Sequence, residues 1–402
     1  MNAVGIDVSK GKSMIAVMKP FGEVVLSPFE IRHTDSELSE LVKLLQSLDG
    51  ETRVVMEYTG NYHAPIAWAL NNAGIYVSVV NAMLIHDYGN NSLRRTKTDK
   101  KDAIKLANYA LDRWLYLPRY VPEEDTRLML KNCYRQYQQY AKLRTMLKNN
   151  LISLLDQVFP DANRLFTSPR RADGSEKWLD FIATFWHCNC VCSLTERAFT
   201  LKYQKWCKKH GYNFSEDKAL DIYTAACGHV CVMPKTDTAR LLVEQATTQL
   251  QTVSTALTAL QGEMQALAAA LPEYPIVMEM FGVGPILGPQ LMAEIGDVRR
   301  FHAKKALVAF AGIDAPPYQS GTVDVRSRSI SKRGSSSLRR TLFIVMSVIL
   351  QNAPPDDPVY QFMDKKRSEG KPYKVYMMAS ANKFLRIYYA KVNNHLDALD
   401  AD

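Results

Sequence analysis

The chain has 402 residues, enough for two or three domains of ordinary size. Apolar residues make up 47% of it and aromatic residues 10%, a composition that excludes wholesale disorder. The formal net charge of +9 favours a polyanionic partner. The longest apolar run, Leu342–Leu350, is far shorter than the roughly 20 residues of a membrane-spanning helix. We therefore expect a soluble, intracellular protein without a signal peptide.

The first part of the chain alternates strand and helix signals. Three short β-rich segments separated by turn residues predict consecutive strands, and further strands then alternate with helices. This order, βββαβαβ followed by a helix, is typical of an RNase H-like α/β domain, which we place at residues 1–118. The predicted strands are Ala3–Val8, Ser13–Lys19, Glu23–Ile31, Arg53–Glu57 and Ile75–Asn81. The predicted helices are one capped by Asp35, His63–Ala73 and Asp99–Asp112.

Residues 119–272 predict helices rather than strands. Two helical stretches, Glu123–Val158 and Asp237–Leu271, are unusually long, and the second has apolar residues near heptad spacing. These lengths indicate an antiparallel coiled-coil arm, with two ordinary helices of a bundle as the alternative. The intervening residues 159–234 are rich in Trp, Cys and basic side chains, and their pattern predicts no particular fold.

Residues 273–402 predict an all-α C-terminal domain that begins near Pro275. A helix, a turn containing Gly282 and Gly284, and a second helix form the pattern of a helix-hairpin-helix. The two glycines carry no Cβ, so the backbone N–H groups near them can approach a DNA phosphate closely. A Gly-x-Gly turn between packed helices is also common, and that alternative stays open.

Four acidic residues form the first candidate site. Asp7 and Glu57 each end an apolar strand, while Asp99 and Asp102 are three residues apart and therefore share a helix face. Carboxylates brought together repel one another unless cations neutralise them, and hard oxygen ligands suit Mg²⁺. The alternative is that Asp99 caps the helix and Asp102 is solvated, which does not explain Asp7 and Glu57.

Basic residues lie around Asp99 and Asp102 and are candidates for holding a nucleic-acid backbone. They are Arg94, Arg95, Lys97, Lys100 and Lys101.

A serine on a Pro-rich loop, Ser320, forms the second candidate site. It is followed by a basic segment that suits phosphate binding, comprising Arg326, Arg328, Lys332, Arg333, Arg339 and Arg340. The residues alone do not single out Ser320 as a nucleophile, because Ser331 and Ser335, Ser336 and Ser337 lie nearby and no His or Lys stands out as a base.

Six short motifs follow one another in a fixed order: Gly5-Ile-Asp-Val-Ser-Lys, Glu57-Tyr-Thr-Gly, Lys97-Thr-Asp-Lys-Lys-Asp-Ala, Gly282-Val-Gly-Pro, Tyr318-Gln-Ser-Gly and Ser331-Lys-Arg-Gly. In this combination the chain resembles the DEDD-type insertion-sequence transposases, the bridge-RNA-guided serine recombinases related to the Piv invertases. The resemblance covers about residues 3–115 and 275–392. The arm and the segment 159–234 match only in helical character.

This resemblance implies a RuvC-like N-terminal domain whose Asp7, Glu57, Asp99 and Asp102 bind Mg²⁺. It implies that Ser320 attacks the DNA backbone to form a covalent phosphoserine link, without ATP. It also implies a tetramer with sites shared between protomers, and a structured bridge RNA that pairs with donor and target DNA. The expected location is the bacterial cytoplasm or nucleoid. The alternatives are a junction-resolving nuclease that uses water as nucleophile, and a non-catalytic nucleic-acid-binding scaffold.

A group of cysteines and histidines offers candidate zinc ligands, namely His187, Cys188, Cys190, Cys192, Cys207, His210, Cys227, His229 and Cys231. Their spacings do not suggest two matching pairs, and free cysteines commonly act as small core residues. The odd total of seven cysteines in an intracellular chain argues against a disulfide framework.

Overall fold

The structure is a computed structural model that describes residues 1–58, 60–88, 98–169, 171, 174–315, 318–320, 323–325 and 329–401. The chain divides into two compact units, Met1–Glu123 and Glu124–Asp402. The three-part division into residues 1–118, 119–272 and 273–402 stays a prediction. None of the helices in the described part of the chain is long and apolar enough to cross a membrane.

The N-terminal unit contains a five-stranded mixed sheet with the strand order β3-β2-β1-β4-β5. β1, β2 and β3 are antiparallel neighbours, whereas β4 pairs in parallel with both β1 and β5. This confirms the predicted RNase H-like fold. The strands are β1 (Asn2–Ser9), β2 (Lys12–Met18), β3 (Val24–Arg32), β4 (Thr52–Glu57) and β5 (Tyr76–Val80).

Helices cover both faces of this sheet. The apolar residues of α1 and α2 form one core with every second residue of β1 and β4, and α4 forms another core with the alternate residues. Side chains alternate between the two faces of the sheet, and β1 contributes apolar residues to the core on each face. The strand is therefore buried on both sides. The helices are α1 (Asp35–Gln46), α2 (Ala64–Asn72), α3 (Ala82–Tyr88) and α4 (Asp99–Asp112). Thr34 caps α1, so the prediction of Asp35 as its cap was wrong.

The second unit begins with the first of two long helices, α5 (Asp125–Val158) and α10 (Asp237–Ala269). The start of α5 shares a core with the end of α10, and the end of α5 shares another with the start of α10. The two helices therefore pack antiparallel, as the sequence predicts. The apolar stripe along each helix makes this packing favourable.

The segment between these helices, for which the sequence predicts no fold, is a helical subdomain. Its core is rich in aromatic rings, with Phe181 in contact with Phe159, Phe185, Tyr203 and Trp206. Aromatic side chains bury a large apolar area each, and with the end of α5 and the start of α10 they form the core of this subdomain. The helices are α6 (Lys177–Thr184), α7 (Asn189–Cys192), α8 (Glu196–His210) and α9 (Glu216–Gly228).

The remaining helices pack around one large core that includes the start of α5. A buried ion pair between Arg127 and Glu273 supports this junction, because each charge compensates the burial of the other. A short hairpin of β6 (Tyr318–Ser320) and β7 (Val323–Val325) interrupts the helices. The helices are α11 (Tyr274–Met278), α12 (Leu287–Ile295), α13 (Lys304–Ala311), α14 (Ser336–Asn352), α15 (Pro358–Ser368) and α16 (Tyr373–Ala401).

Candidate active site

The first two acidic residues lie at the same edge of the sheet. In the parallel ladder of β1 and β4, Ile6 is paired with Met56, and the next residues are Asp7 and Glu57. Neighbouring strands are about 4.8 Å apart, so their backbones bring the two carboxylates to adjacent positions. Both side chains are partly buried.

The close approach of α4 to β1 decides which way these side chains face. A Cβ atom on Gly5 would lie 2.0 Å from the carbonyl oxygen of Ala103 and 2.4 Å from the backbone nitrogen of Ala107. Only a glycine permits this contact. The position that a Cβ on Gly5 would occupy is filled by α4, so residue 5 faces the side of the sheet that α4 covers. Since side chains alternate along a strand, Asp7 lies on that same face.

The direction of α4 brings its first turn toward the same strand end. Ala3, near the start of β1, shares a core with Ala110, whereas Gly5 contacts Ala103. The helix therefore runs back along the strand. Its first turn, which carries Asp99 and Asp102, lies beyond Gly5 in the direction of Asp7.

The cap of α4 differs from the alternative considered in the sequence. Thr98 is the N-cap, and its hydroxyl accepts a hydrogen bond of 3.3 Å from the backbone N–H of Lys101. The structure therefore excludes the alternative in which Asp99 caps the helix. Asp99 is exposed and Asp102 is partly buried, and both are free of the capping role.

The four acidic residues share one end of the sheet, but their side chains are not gathered into a coordination sphere. Among the residues that the structure describes, no three His, Cys, Asp or Glu side chains are placed to hold a metal ion. Their oxygen donors fit Mg²⁺ in type. Coordination by the quartet therefore stays a prediction, supported by the backbone positions.

The positive charges near this edge are only partly described. Lys100 and Lys101 lie exposed in the first turn of α4, while Arg94, Arg95 and Lys97 lie outside the described residues. The sequence did not single out Lys12, on β2, whose ammonium lies 2.8 Å from the Glu30 carboxylate. This hydrogen bond and the charge of Glu30 raise the pKa of Lys12, with a smaller contribution from Asp99.

Ser320 lies on a strand rather than on the loop expected from the sequence. It ends β6, and its backbone pairs with Val323 of β7. The adjacent glycine and proline residues had favoured a loop because they are typical of turns. Arg326 and Arg328 lie outside the described residues.

The chain segments that enter and leave this hairpin are bonded to each other. The N–H of Ser331 donates to the carbonyl of Asp314 at 2.8 Å, and the Ser331 hydroxyl donates to the Asp314 carboxylate. The N–H of Lys332 donates to the carbonyl of Gly312 at 3.0 Å. A Cβ on Gly334 would lie 2.0 Å from the carbonyl oxygen of Phe310, so the two segments approach as closely as backbones can.

Three of the serines that compete with Ser320 have structural hydrogen bonds. The Ser331 hydroxyl donates to Asp314, as described above. Ser335 caps α14, and its hydroxyl donates to the buried Glu294 at 2.6 Å. The Ser337 hydroxyl donates to the Tyr134 hydroxyl at 3.2 Å. Of the competing serines, Ser336 alone is exposed.

The basic residues that follow the hairpin have different roles. The Arg339 guanidinium donates to the carbonyl oxygens of Ala311 and Gly334, at 3.0 and 3.1 Å, and thus supports the hairpin base. Lys332, Arg333 and Arg340 are exposed and can meet an anionic partner.

The two glycines of the turn predicted to form a helix-hairpin-helix differ in their surroundings. Gly282 has a φ of +79°, and a Cβ there would lie 2.8 Å from Cγ1 of Ile349 on α14, so its lack of a side chain serves packing. Gly284 has open space where a Cβ would be. Contact between this turn and DNA stays a prediction, and Gly284 is the position with room for it.

The chain combines an RNase H-like sheet that has acidic strand ends with a helical unit that has exposed basic residues. This combination is typical of the class that the sequence predicts, the DNA-processing enzymes. Residues 4–160 match the DEDD transposase family of the IS110 type, and residues 274–361 match the family described as "Transposase IS116/IS110/IS902 family". The chain belongs to the IS110/IS116 family of transposases.

Similar proteins span nearly the whole chain. The 43.6 kDa insertion element IS110 protein of Streptomyces coelicolor is 22% identical over 97% of this chain and 94% of its own. The pilin gene-inverting protein of Moraxella bovis is 23% identical over 85% of this chain and 80% of its own. A Thermus thermophilus RuvC bound to a Holliday junction matches 29% of this chain and 95% of its own, with 14% identity and a TM-score of 0.22. The assignment of the N-terminal fold rests on the strand order.

Proposed function

We propose that this protein is a transposase that exchanges DNA strands in a Mg²⁺-dependent reaction through a covalent link to Ser320. The observation that carries the proposal is the convergence of Asp7, Glu57 and the first turn of α4 at one end of the sheet. Family membership supports the DNA substrate.

The acidic quartet supplies the metal ligands in this proposal. Asp7 and Glu57 would hold Mg²⁺ from the strand ends, and Asp99 and Asp102 from the helix. Mutual repulsion keeps carboxylates apart until a cation neutralises them, so their side chains would converge as the ion binds. An ion held by these residues would supply neutralisation of the charge on the phosphate under attack.

Ser320 supplies the nucleophile. Its hydroxyl loses a proton, its Oγ forms a bond to the DNA phosphorus, and the bond from that phosphorus to the leaving oxygen of the strand breaks. The leaving oxygen takes up a proton. A hydroxyl of a second strand then attacks the phosphoserine and releases Ser320, so the bond energy is retained and no ATP is needed.

The exposed cations near the hairpin support this chemistry. Lys332, Arg333 and Arg340 can neutralise phosphate charge, which matters because no general base is assigned to the serine. The structural hydrogen bonds of Ser331, Ser335 and Ser337 also favour Ser320 over its neighbours.

The partners we propose are donor and target DNA, a structured bridge RNA, and further copies of this chain in a tetramer. The resemblance to the bridge-RNA-guided recombinases supports the RNA and the tetramer. The surplus of positive charge supports binding to both nucleic acids, since it suits a polyanion regardless of its sequence.

The test is covalent trapping on a suicide DNA substrate in the presence of Mg²⁺ and the element's RNA. We expect Ser320→Ala to abolish the protein–DNA adduct, whereas the exposed Ser336→Ala keeps it. Undiminished cleavage by Ser320→Ala would instead identify a nuclease that uses water. DNA binding without cleavage by the unaltered protein would identify a scaffold.

A further inference from the structure

The helical subdomain between α5 and α10 contains a cluster of four cysteines. Cys188 and Cys192 are separated by three residues, as are Cys227 and Cys231. The interpretation of these spacings as unmatched was wrong, because Cys190 lies between the first two and obscures the pattern. Cys188 is the N-cap of α7 and Cys192 is its last residue, and positions four residues apart share a helix face.

The two pairs face each other across one cavity. All four cysteines line a cavity of about 420 Å³, and Cys190 is not among its lining residues. Cys188 interacts electrostatically with Cys231, and Cys192 interacts electrostatically with Cys227. Each cysteine of one pair therefore lies opposite a cysteine of the other.

One of the two neighbouring histidines is held by hydrogen bonds at both ring nitrogens. Nδ1 of His187 accepts a hydrogen bond of 3.0 Å from the N–H of Asn189, so its Nε2–H donates to the Met233 carbonyl at 3.0 Å. Nε2 of His229 lies 3.9 Å from the Asp161 carboxylate, and His229 lines the cavity. The four thiols are thus the largest set of metal-ligating groups that the cavity offers.

We propose that Cys188, Cys192, Cys227 and Cys231 bind one structural Zn²⁺ ion as a tetrathiolate site. Two matched cysteine pairs on separate segments are the ligand set of closed structural zinc sites. In the structure the Cys192 thiol donates to the Cys188 carbonyl at 3.0 Å and the Cys231 thiol to the Val158 carbonyl at 3.1 Å.

These two contacts mean that the sulfurs do not converge on one point, and no three of them are placed to coordinate an ion within the described chain. In this proposal, rotation about χ1 of Cys192 and Cys231 would exchange each carbonyl contact for a metal–ligand bond. Side chains change such rotamers readily in the absence of close packing, and the cavity provides the space.

The position of the cluster indicates what the ion would stabilise. The N–H of Cys188 donates to the Val158 carbonyl, and the N–H groups of Val232 and Met233 donate to the Gln157 carbonyl, each at 3.0 Å. The end of α5, helix α7 and the connection from α9 to α10 therefore meet here. Zinc would join them where the subdomain meets the long helices.

The experiment uses the full-length protein, produced with added Zn²⁺ and purified under reducing conditions, with the metal content measured by mass spectrometry. We expect about one equivalent of zinc per chain. Substitution of the exposed ligand, Cys227→Ser, should lower the zinc content at least about tenfold. The matched control is Cys190→Ser, which should retain it.

X-ray absorption on the unaltered protein keeps the test decisive if a variant folds poorly. We expect four sulfur ligands at about 2.3 Å. Zinc below about a tenth of an equivalent, oxygen or nitrogen ligation, or equal loss in both variants would overturn the proposal. So would a native mass that reveals two disulfides among the four cysteines. None of these results bears on Ser320, because the trapping assay tests that residue separately.

Discussion

The acidic residues and Ser320 are held in place by different kinds of structure. Asp7 and Glu57 end adjacent parallel strands in the middle of a five-stranded sheet, with α4 packed directly on Gly5. Ser320 ends a three-residue strand whose hairpin is secured at its base by a few hydrogen bonds. The first arrangement is fixed by a buried core, and the second depends on local bonds.

This difference indicates where each part of the site is vulnerable. A change within the sheet should affect stability and catalysis together, since the carboxylates depend on the packing beneath them. A change at the hairpin base should affect covalent attack more than stability. The four predictions below test this contrast, from the largest expected effect to the smallest.

Removal of one metal ligand should have the largest effect. We expect Asp7→Asn to lower the rate of DNA strand cleavage about 1000-fold or more, because a neutral amide cannot replace a carboxylate that binds Mg²⁺. The rate is measured on a labelled DNA substrate. The exposed Asp49→Asn is the control and should cleave normally. Normal cleavage by both Asp7→Asn and Asp102→Asn would refute the metal site.

Adding a single methyl group beneath the acidic residues should have the next largest effect. Gly5→Ala places a Cβ within 2.0 Å of the Ala103 carbonyl oxygen and should destabilise the packing of α4 by about 3 kcal/mol. Hydrogen exchange should then be roughly 100-fold faster in α4. The control is Gly262→Ala on α10, where an added Cβ would meet open space. This substitution should not accelerate hydrogen exchange. Unchanged exchange in Gly5→Ala would show that the contact is unimportant.

A change at the hairpin base should separate chemistry from stability. Ser331→Ala removes the hydrogen bond to Asp314 and should cost about 2 kcal/mol locally. Adduct formation on the suicide substrate should fall about tenfold, because Ser320 is less well positioned, while DNA affinity is unchanged. The exposed Ser329→Ala provides the comparison. Equal losses of DNA affinity and adduct would contradict a positioning role.

The helix cap beside the acidic residues should have the smallest effect. Thr98→Ala removes the acceptor for the N–H of Lys101 and should destabilise the first turn of α4 by about 1 kcal/mol. We expect the Mg²⁺ concentration that gives half-maximal cleavage to rise about threefold, since Asp99 and Asp102 lie in that turn. Thr98→Ser should restore it. If the Thr98→Ala protein needs the same Mg²⁺ concentration for half-maximal cleavage as the unaltered protein, the first turn of α4 does not contribute to metal binding.

The same contrast explains what the sequence could predict. Alternating apolar residues and strand-end acids placed Asp7 and Glu57 correctly on β1 and β4, because a strand repeats every two residues. The long helices α5 and α10 were also predicted, since their apolar periodicity extends over many turns.

Other features depend on contacts between distant residues. The aromatic core around Phe181 has no regular period along the chain, so its subdomain was not predicted. The interaction of Cys188 with Cys231 likewise joins residues far apart in the chain, so no local sequence pattern predicts it. Ser320 was chosen by family resemblance, and the short strand that carries it was missed because its neighbours favour turns.

The most direct test of the central claim is to locate the covalent bond itself. The unaltered protein is trapped on suicide DNA with Mg²⁺, digested with nuclease and protease, and analysed by tandem mass spectrometry. We predict a nucleotide linked through phosphate to Ser320, which disappears in Asp7→Asn because the metal site is lost. An adduct on another residue, or cleaved DNA without any adduct, would contradict the proposed mechanism.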